Sequence, residues 1–230
     1  MKTYDFAYGR GRKEFSIDES LVIKEVRTEE FTPMSDIKQG VLDAIYNPIG
    51  CEPIDKIIKP GDTVAFICND PTRVANSYDF MPVLVNEFNK LGVKDEDMHI
   101  VFSLGTHRDM THEEMVEAVG EEVSSRLKMY NSTATKDEDF EYFGTTSRGT
   151  PVWINKHLCH VDHVILTGTI VHHYFSGYGG GRKAILPGCA AMETVRVNHS
   201  FMLDKNAGLG RTVGNPCYED QLSLIHISEP

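Results

Sequence analysis

The stretch from Gly168 to His199 constrains this chain more than any other. An apolar run, residues 161–166, leads into it. Two adjacent histidines, His172 and His173, follow, and then a loop with four glycines in five residues, Gly177 to Gly181. Arg182-Lys183 and a Pro187-Gly188 turn come next, and a helix is predicted from about Cys189 to near His199. Glycines allow backbone N–H groups to approach an anion closely, and a nearby helix N-terminus adds to that attraction. A lysine just past such a loop can clamp phosphate or, when partly desolvated, act as a nucleophile. The loop is not a P-loop, because Arg182 stands where the glycine before the lysine should be and Ala184 where Ser or Thr should hold magnesium. Alone, it is equally a plain strand-to-helix connection.

The chain around it has a βαβα rhythm. Residues 3–27 alternate around Tyr8-Gly9-Arg10-Gly11-Arg12, which predicts a hairpin followed by a strand from Ser20 to Arg27. Ile37, Val41, Leu42 and Ile45 have helical spacing, and Asn47-Pro48 ends that helix. A buried strand is predicted over Thr63 to Cys68 and a helix over about Tyr78 to Leu91. A second strand, Met98 to Leu104, precedes the capping box Thr111-x-x-Glu114. Residues 131–139 read as a polar connection. The fold class is therefore α/β: a mostly parallel, Rossmann-like sheet with helices on both faces, preceded by an N-terminal β-hairpin. In such sheets ligands sit outside the carboxyl ends of the strands. That rule gathers Asp70 to Arg73, Gly105 to Arg108, and His172 to Lys183 into one place.

Composition narrows the function classes. A net charge of −11 argues against binding nucleic acid or an anionic membrane. The five cysteines are scattered, with no C-x-x-C pair, as expected of reduced thiols in a cytoplasmic protein. Each polar residue at the strand ends also has an ordinary reading. Arg73 could clamp a carboxylate or sit in a surface ion pair, and Asp70 before Pro71 could cap a turn. Adjacent histidines in extended chain point opposite ways, so at most one of His172 and His173 faces a site. His199 could be a helix-packing residue. The run His157-x-Cys159-His160-x-x-His163 fits no common zinc spacing.

In combination these segments carry a more specific pattern. Asp70-x-x-Arg73, Gly105-Thr106-His107, and His173-x-x-x-Gly177-Tyr178-x-Gly180-Gly181-x-Lys183, followed by Pro187-Gly188 and Asn198-His199, resemble the nickel-dependent lactate racemase family. The resemblance covers residues 1–221 and corresponds to that family's N-terminal, cofactor-binding domain. It implies racemisation or epimerisation of a 2-hydroxy acid, lactate first, with a nickel pincer nucleotide as cofactor. That group is a pyridinium mononucleotide whose two thiocarboxyl arms hold nickel. By resemblance, Lys183 is its covalent tether and His199 the protein's nickel ligand. His107 and His173 are the acid/base pair, and Arg73 holds the substrate carboxylate. Asp70, Thr72, Arg73, Gly180 and Gly181 line the cofactor. Proteins that build the cofactor are the implied partners. The chemistry suits these residue types. A 2-hydroxy acid loses a Cα proton poorly, so hydride transfer to an electron sink is the easier route, and a histidine suits the hydroxyl proton. A soft ligand set suits square-planar nickel.

Family members carry a second domain that closes the cleft. A chain stopping before it is expected to keep the cofactor-binding constellation and to lack closure, water exclusion and turnover. Residues 222–230 match, letter for letter, one reading frame of the transposon mosaic end used in sequencing libraries. Native sequence is therefore expected to end near Gln221, with 222–230 a read-through tail, so His226 is set aside. Two other classes remain as alternatives: a non-catalytic nucleotide- or phosphate-binding module using Gly177 to Lys183, and a zinc hydrolase built on the histidine-rich region.

Overall fold

The computed structural model describes every residue except Arg10, Thr28, Glu30, Glu229 and Pro230, and the side chain of Ser228. Two units are distinguished, Met1–Ser35 and Asp36–Pro230. In the first, β1 (Lys2–Tyr8) and β2 (Gly11–Ile17) pair antiparallel, from Lys2 opposite Ile17 to Tyr8 opposite Gly11. The expected hairpin is present, with Arg10 of its turn outside the described residues. Phe15 stacks between Tyr4 and Phe6, at centroid distances of 5.8 and 5.3 Å. The strand expected over Ser20 to Arg27 does not form. Residues 19–21 make a single 3₁₀ turn capped by Asp18, and residues 22–27 join no ladder. Glu25 is instead held by side-chain bonds from Lys2 and Tyr4 of β1.

The second unit is built on four parallel strands. After α1 (Ile37–Tyr46) and α2 (Ile54–Ile57) come β3 (Val64–Asn69), α3 (Ser77–Lys90) and β4 (Met98–Gly105). Then follow α4 (His112–Val119), α5 (Glu121–Ser124), β5 (Lys128–Thr133), β6 (Phe140–Thr145), β7 (Pro151–Asn155) and β8 (His163–Leu166). The sheet order is β5-β4-β3-β8, so the chain winds outward from β3 in one direction and returns to its other side. β5 is a finding: the predicted polar connection begins inside a sheet-edge strand. β6 and β7 form an antiparallel hairpin that was not anticipated either.

Strand alternation sorts the core onto two faces. Val64, Phe66 and Cys68 of β3 join Met98, Ile100, Phe102 and Leu104 of β4 beneath α1, α3, α4 and α5. Ala65, Ile67 and Val101 point the other way, against the β6–β7 hairpin, the 184–190 turn, α6 (Met192–Ser200) and α7 (Pro216–Ser228). Helices thus lie on both faces, with a hairpin completing the second. The capping box of α4 is formed, with Thr111 and Glu114 bonding reciprocally. α6 starts three residues later than expected because residues 189–191 are used as an edge: Asn155 N–H donates to the Cys189 carbonyl and Ala191 N–H to that of Trp153. Two short strands, β9 (His172–His173) and β10 (Ser176–Tyr178), pair antiparallel, and β11 (Gly208–Leu209) joins β10 in parallel. Residues 222–228 continue α7, with Leu224 fully buried against the second face.

Phe66 is fully buried and packs edge-on against Phe88 at 5.1 Å. Phe66→Ala is expected to cost about 3–5 kcal/mol in urea unfolding, whereas Ile23→Ala, at a fully exposed side chain, should change stability by less than about 0.5 kcal/mol.

Candidate functional site

The carboxyl ends of β3, β4 and β8 open into a cleft of about 580 Å³. Its lining includes Asp70, Thr72, Arg73, His107, His173, Gly180, Lys183 and His199, every candidate residue but one. Gly181 stands outside it, exposed, at the start of the 3₁₀ turn 181–184. The glycine loop feeds that turn rather than a helix, so no helix N-terminus directly follows it. Gly180 has φ +74°, and a Cβ there would lie 3.2 Å from the Thr169 carbonyl, so its backbone closes against the segment after β8.

Three of the chemical residues meet at one ring that sequence reasoning missed. Phe175, 5% exposed, has His173 at 4.6 Å and His199 at 5.0 Å, both edge-on, and Lys183 Nζ at 5.6 Å from its centroid. An aromatic between two histidines and a glycine loop is a faint sequence signal, since it reads as ordinary core. His172, by contrast, is exposed and packs on Tyr178, so only His173 of the pair faces the cleft.

The electrostatics of this corner are one-sided. Burial, then the charges of Arg182 and Arg73, push Lys183 down to about 8. Burial and Lys183 push His199 down to about 4. Burial, Lys183, His199, Arg73 and Arg182 do the same to His173, also to about 4. Among the described residues Lys183 and Arg73 are in no ion pair, so the cleft presents uncompensated positive charge suited to an anionic ligand. Nδ1 of His199 is buried and makes no hydrogen bond; the Val195 carbonyl one turn earlier favours the ring's charged form without completing one. A buried polar atom without a partner is costly.

Hydrogen bonds set the two acid/base candidates in opposite tautomers. His107 Nδ1 lies 3.2 Å from Oδ2 of Asp70, a 5%-exposed carboxylate whose Oδ1 accepts from the Thr72 amide and hydroxyl. A carboxylate only accepts, so the His107 proton sits on Nδ1 and Nε2 carries the basic lone pair. At His173 the backbone N–H of Ser176 donates to Nδ1 at 3.2 Å, which leaves the neutral ring's proton on Nε2. Asp70 therefore positions His107, a pairing that separation in sequence concealed. The histidine-rich run disperses over separate partners: His157 stacks on Tyr130, Cys159 donates to the Asn155 carbonyl, His160 meets Glu141 and His163 meets Asp62.

A Rossmann-like domain with a cationic, two-histidine cleft at its strand ends is the class these features define. The family model for the lactate racemase N-terminal domain matches residues 8–210. The lactate racemase of Lactiplantibacillus plantarum is 29% identical over 187 residues, covering 80% of this chain and 44% of that protein. The lactate racemase of Thermoanaerobacterium thermosaccharolyticum is 27% identical over 226 residues, 96% of this chain and 53% of that protein. The solved apoprotein from the latter organism superposes with a TM-score of 0.83 at 26% identity, covering 99% of this chain and 54% of that one. A Thermotoga maritima protein, at 20% identity and a TM-score of 0.68, shares the fold. This chain belongs to the lactate racemase N-terminal domain family, and it spans about half the length of the curated relatives it matches.

Lys183 offers a direct check. Its folded-state value of about 8 lies below the ordinary 10.5, so the folded protein binds fewer protons than the unfolded chain between those values. The penalty is full below pH 8 and disappears as pH rises past 10.5. Lys183→Met should therefore raise stability at neutral pH by on the order of 1–3 kcal/mol, a gain that fades in alkaline urea titrations. At His107, Asp70→Asn should abolish the preference for Nδ1–H, read from the ring ¹⁵N shifts.

Proposed function

We propose that this chain is the cofactor-holding domain of a 2-hydroxy-acid racemase, with lactate the first substrate to test. The observation that carries the reading is the meeting of Lys183, His199 and His173 on Phe175, with Lys183 desolvated and His199 Nδ1 unbonded. These residues fit a nickel pincer nucleotide. A lysine held near 8 is largely available as free amine at slightly alkaline pH and can form the covalent tether. A neutral imidazole is the form that binds a metal, and burial, with the charge of Lys183 beside it, keeps His199 neutral. Arg73, Lys183 and the loop at Gly180 line the cleft and leave positive charge for a phosphate. When bound, the group supplies the acceptor that takes hydride from the substrate Cα and returns it.

The remaining work falls to the chain's own side chains. Arg73 grips the substrate carboxylate. His107, its Nδ1–H held by Asp70, takes the hydroxyl proton at Nε2. His173 presents Nε2–H as a donor, because Ser176 occupies its Nδ1. The resting pair is thus asymmetric, with one histidine basic and one proton-bearing. The planar 2-oxo acid can accept hydride on either face, which yields racemisation. The whole reaction is proposed for the longer protein, since the curated relatives are about twice this length. The cytoplasm is the proposed location and the cofactor-building enzymes the proposed partners.

Co-expression with pincer-cofactor biosynthesis enzymes, followed by peptide mass spectrometry and metal analysis, tests this. The expected result is a mass adduct on the Lys183 peptide with bound nickel. Lys183→Ala should lose the adduct, and His199→Ala should keep it while losing nickel. An adduct-free chain that still binds inorganic phosphate would favour the anion-binding alternative.

A further inference from the structure

The second face of the sheet contains buried polar groups that neither the core nor the chemistry above requires. Ser176, Asn198, Asp220 and Gln221 are all fully buried. Ser176 Oγ donates to Gln221 Oε1 at 2.8 Å, and Gln221 Nε2 donates to Asn198 Oδ1 at 3.3 Å. Asn198 Nδ2 donates to Asp220 Oδ2 at 2.8 Å and to the Cys217 carbonyl at 3.2 Å. Thr146 and Thr150 hydroxyls complete the shell of Asp220, at 2.6 and 2.8 Å. The Ser176 carbonyl accepts from Arg182 at 2.6 Å, and its N–H donates to His173.

For stability alone, apolar side chains of the same shape would serve as well, because each buried polar group must first give up its water. What a satisfied network adds is direction, since hydrogen bonds fix orientation and apolar contacts do not. One end of this network touches His173 and the residue before Lys183. The other holds Asn198, the residue before His199. We infer that the buried network centred on Gln221 and Ser176 is a positioning device, which ties α7 to β10 and α6 so that His173 and His199 keep a fixed mutual orientation. Gln221 is thereby a positioning residue for both histidines, although it touches neither. This rests on the proposed roles of His199 and His173; the contacts themselves do not.

The test uses the full 230-residue chain without cofactor, ¹⁵N-labelled at histidine, and reads the ring signals of His173 and His199. Gln221→Leu keeps the volume and removes both bonds. Ser176→Ala removes only the hydroxyl, and it decides the matter if Gln221→Leu does not fold. Leu158→Ala, a truncation in the same core that leaves the network intact, controls for lost stability. Both ring signals should leave their wild-type positions in the two network variants and stay in place in Leu158→Ala. After co-expression with the cofactor enzymes, nickel affinity per Lys183 adduct should fall about 10- to 100-fold in the network variants, the usual cost of removing support behind a ligand. Ring signals unchanged in folded Gln221→Leu and Ser176→Ala would overturn the inference, as would equal displacement by Leu158→Ala. A wild-type chain without adduct, whose ring signals still respond, would remove the pincer reading and leave the network standing.

Discussion

The site depends on a close backbone contact between two glycines. Gly105, the last residue of β4, donates its N–H to the Gly188 carbonyl at 2.9 Å, and its own carbonyl accepts from Ala134 at 2.7 Å. A Cβ on Gly188 would lie 2.4 Å from the Ala184 carbonyl and 2.6 Å from Cβ of Ser103, so no other residue fits there. Gly105 has φ +55°, and a Cβ on it would sit 3.2 Å from the Pro187 carbonyl. Because Gly188 N–H also donates to the Lys183 carbonyl, this contact fastens the lysine turn to the end of β4, two residues before His107. A lysine and a histidine far apart in sequence thus share one wall of the cleft.

That arrangement works against folding stability. Arg182 and Arg73 act on Lys183, all three act on His173, and Lys183 acts on His199, without a carboxylate paired to any of the three among the described residues. Asp70, the carboxylate among the cleft-lining residues, is engaged with His107 and Thr72. Mutually repelling cations around a partly buried lysine are tolerated where an anion is to be bound, and perturbed ionisation clusters at such places. The stabilising terms lie elsewhere, in the two apolar faces of β3 and β4.

Much of this was legible in the sequence. β3, β4, β8, α1 and α3 announce themselves because each carries an apolar run or stripe bounded by a turn, and α4 because Thr111 and Glu114 spell its cap. β5 did not, since as an edge strand it carries Lys128, Asn131 and Ser132 in place of an apolar run. The 189–191 segment looked helical because Cys-Ala-Ala suits a helix, and tertiary pairing with β7 overrode that preference. Ser20 to Arg27 has strand-like alternation but no partner to pair with. At the site, the strand-end rule gathered the loops that carry Lys183, His107 and His173, and the family resemblance, not spacing, singled out those residues and His199. The contacts that give them their properties, Phe175, the Asp70 hydrogen bond and Gln221, arise from chain crossings that no local pattern reveals. Gly181 lies outside the cleft lining, a placement a glycine run does not reveal because it does not show which of its members faces inward.

The role proposed for Lys183 and His199 is to hold one nickel-bearing nucleotide in this cleft. A crystal structure of the chain loaded by co-expression, with diffraction recorded on both sides of the nickel absorption edge, examines it most directly. The expected result is a single anomalous peak within bonding distance of a His199 ring nitrogen, with continuous density from Lys183 Nζ to the ligand. Nickel held instead by the histidines around residue 160, or a ligand in the cleft with no bond to Lys183, would contradict it.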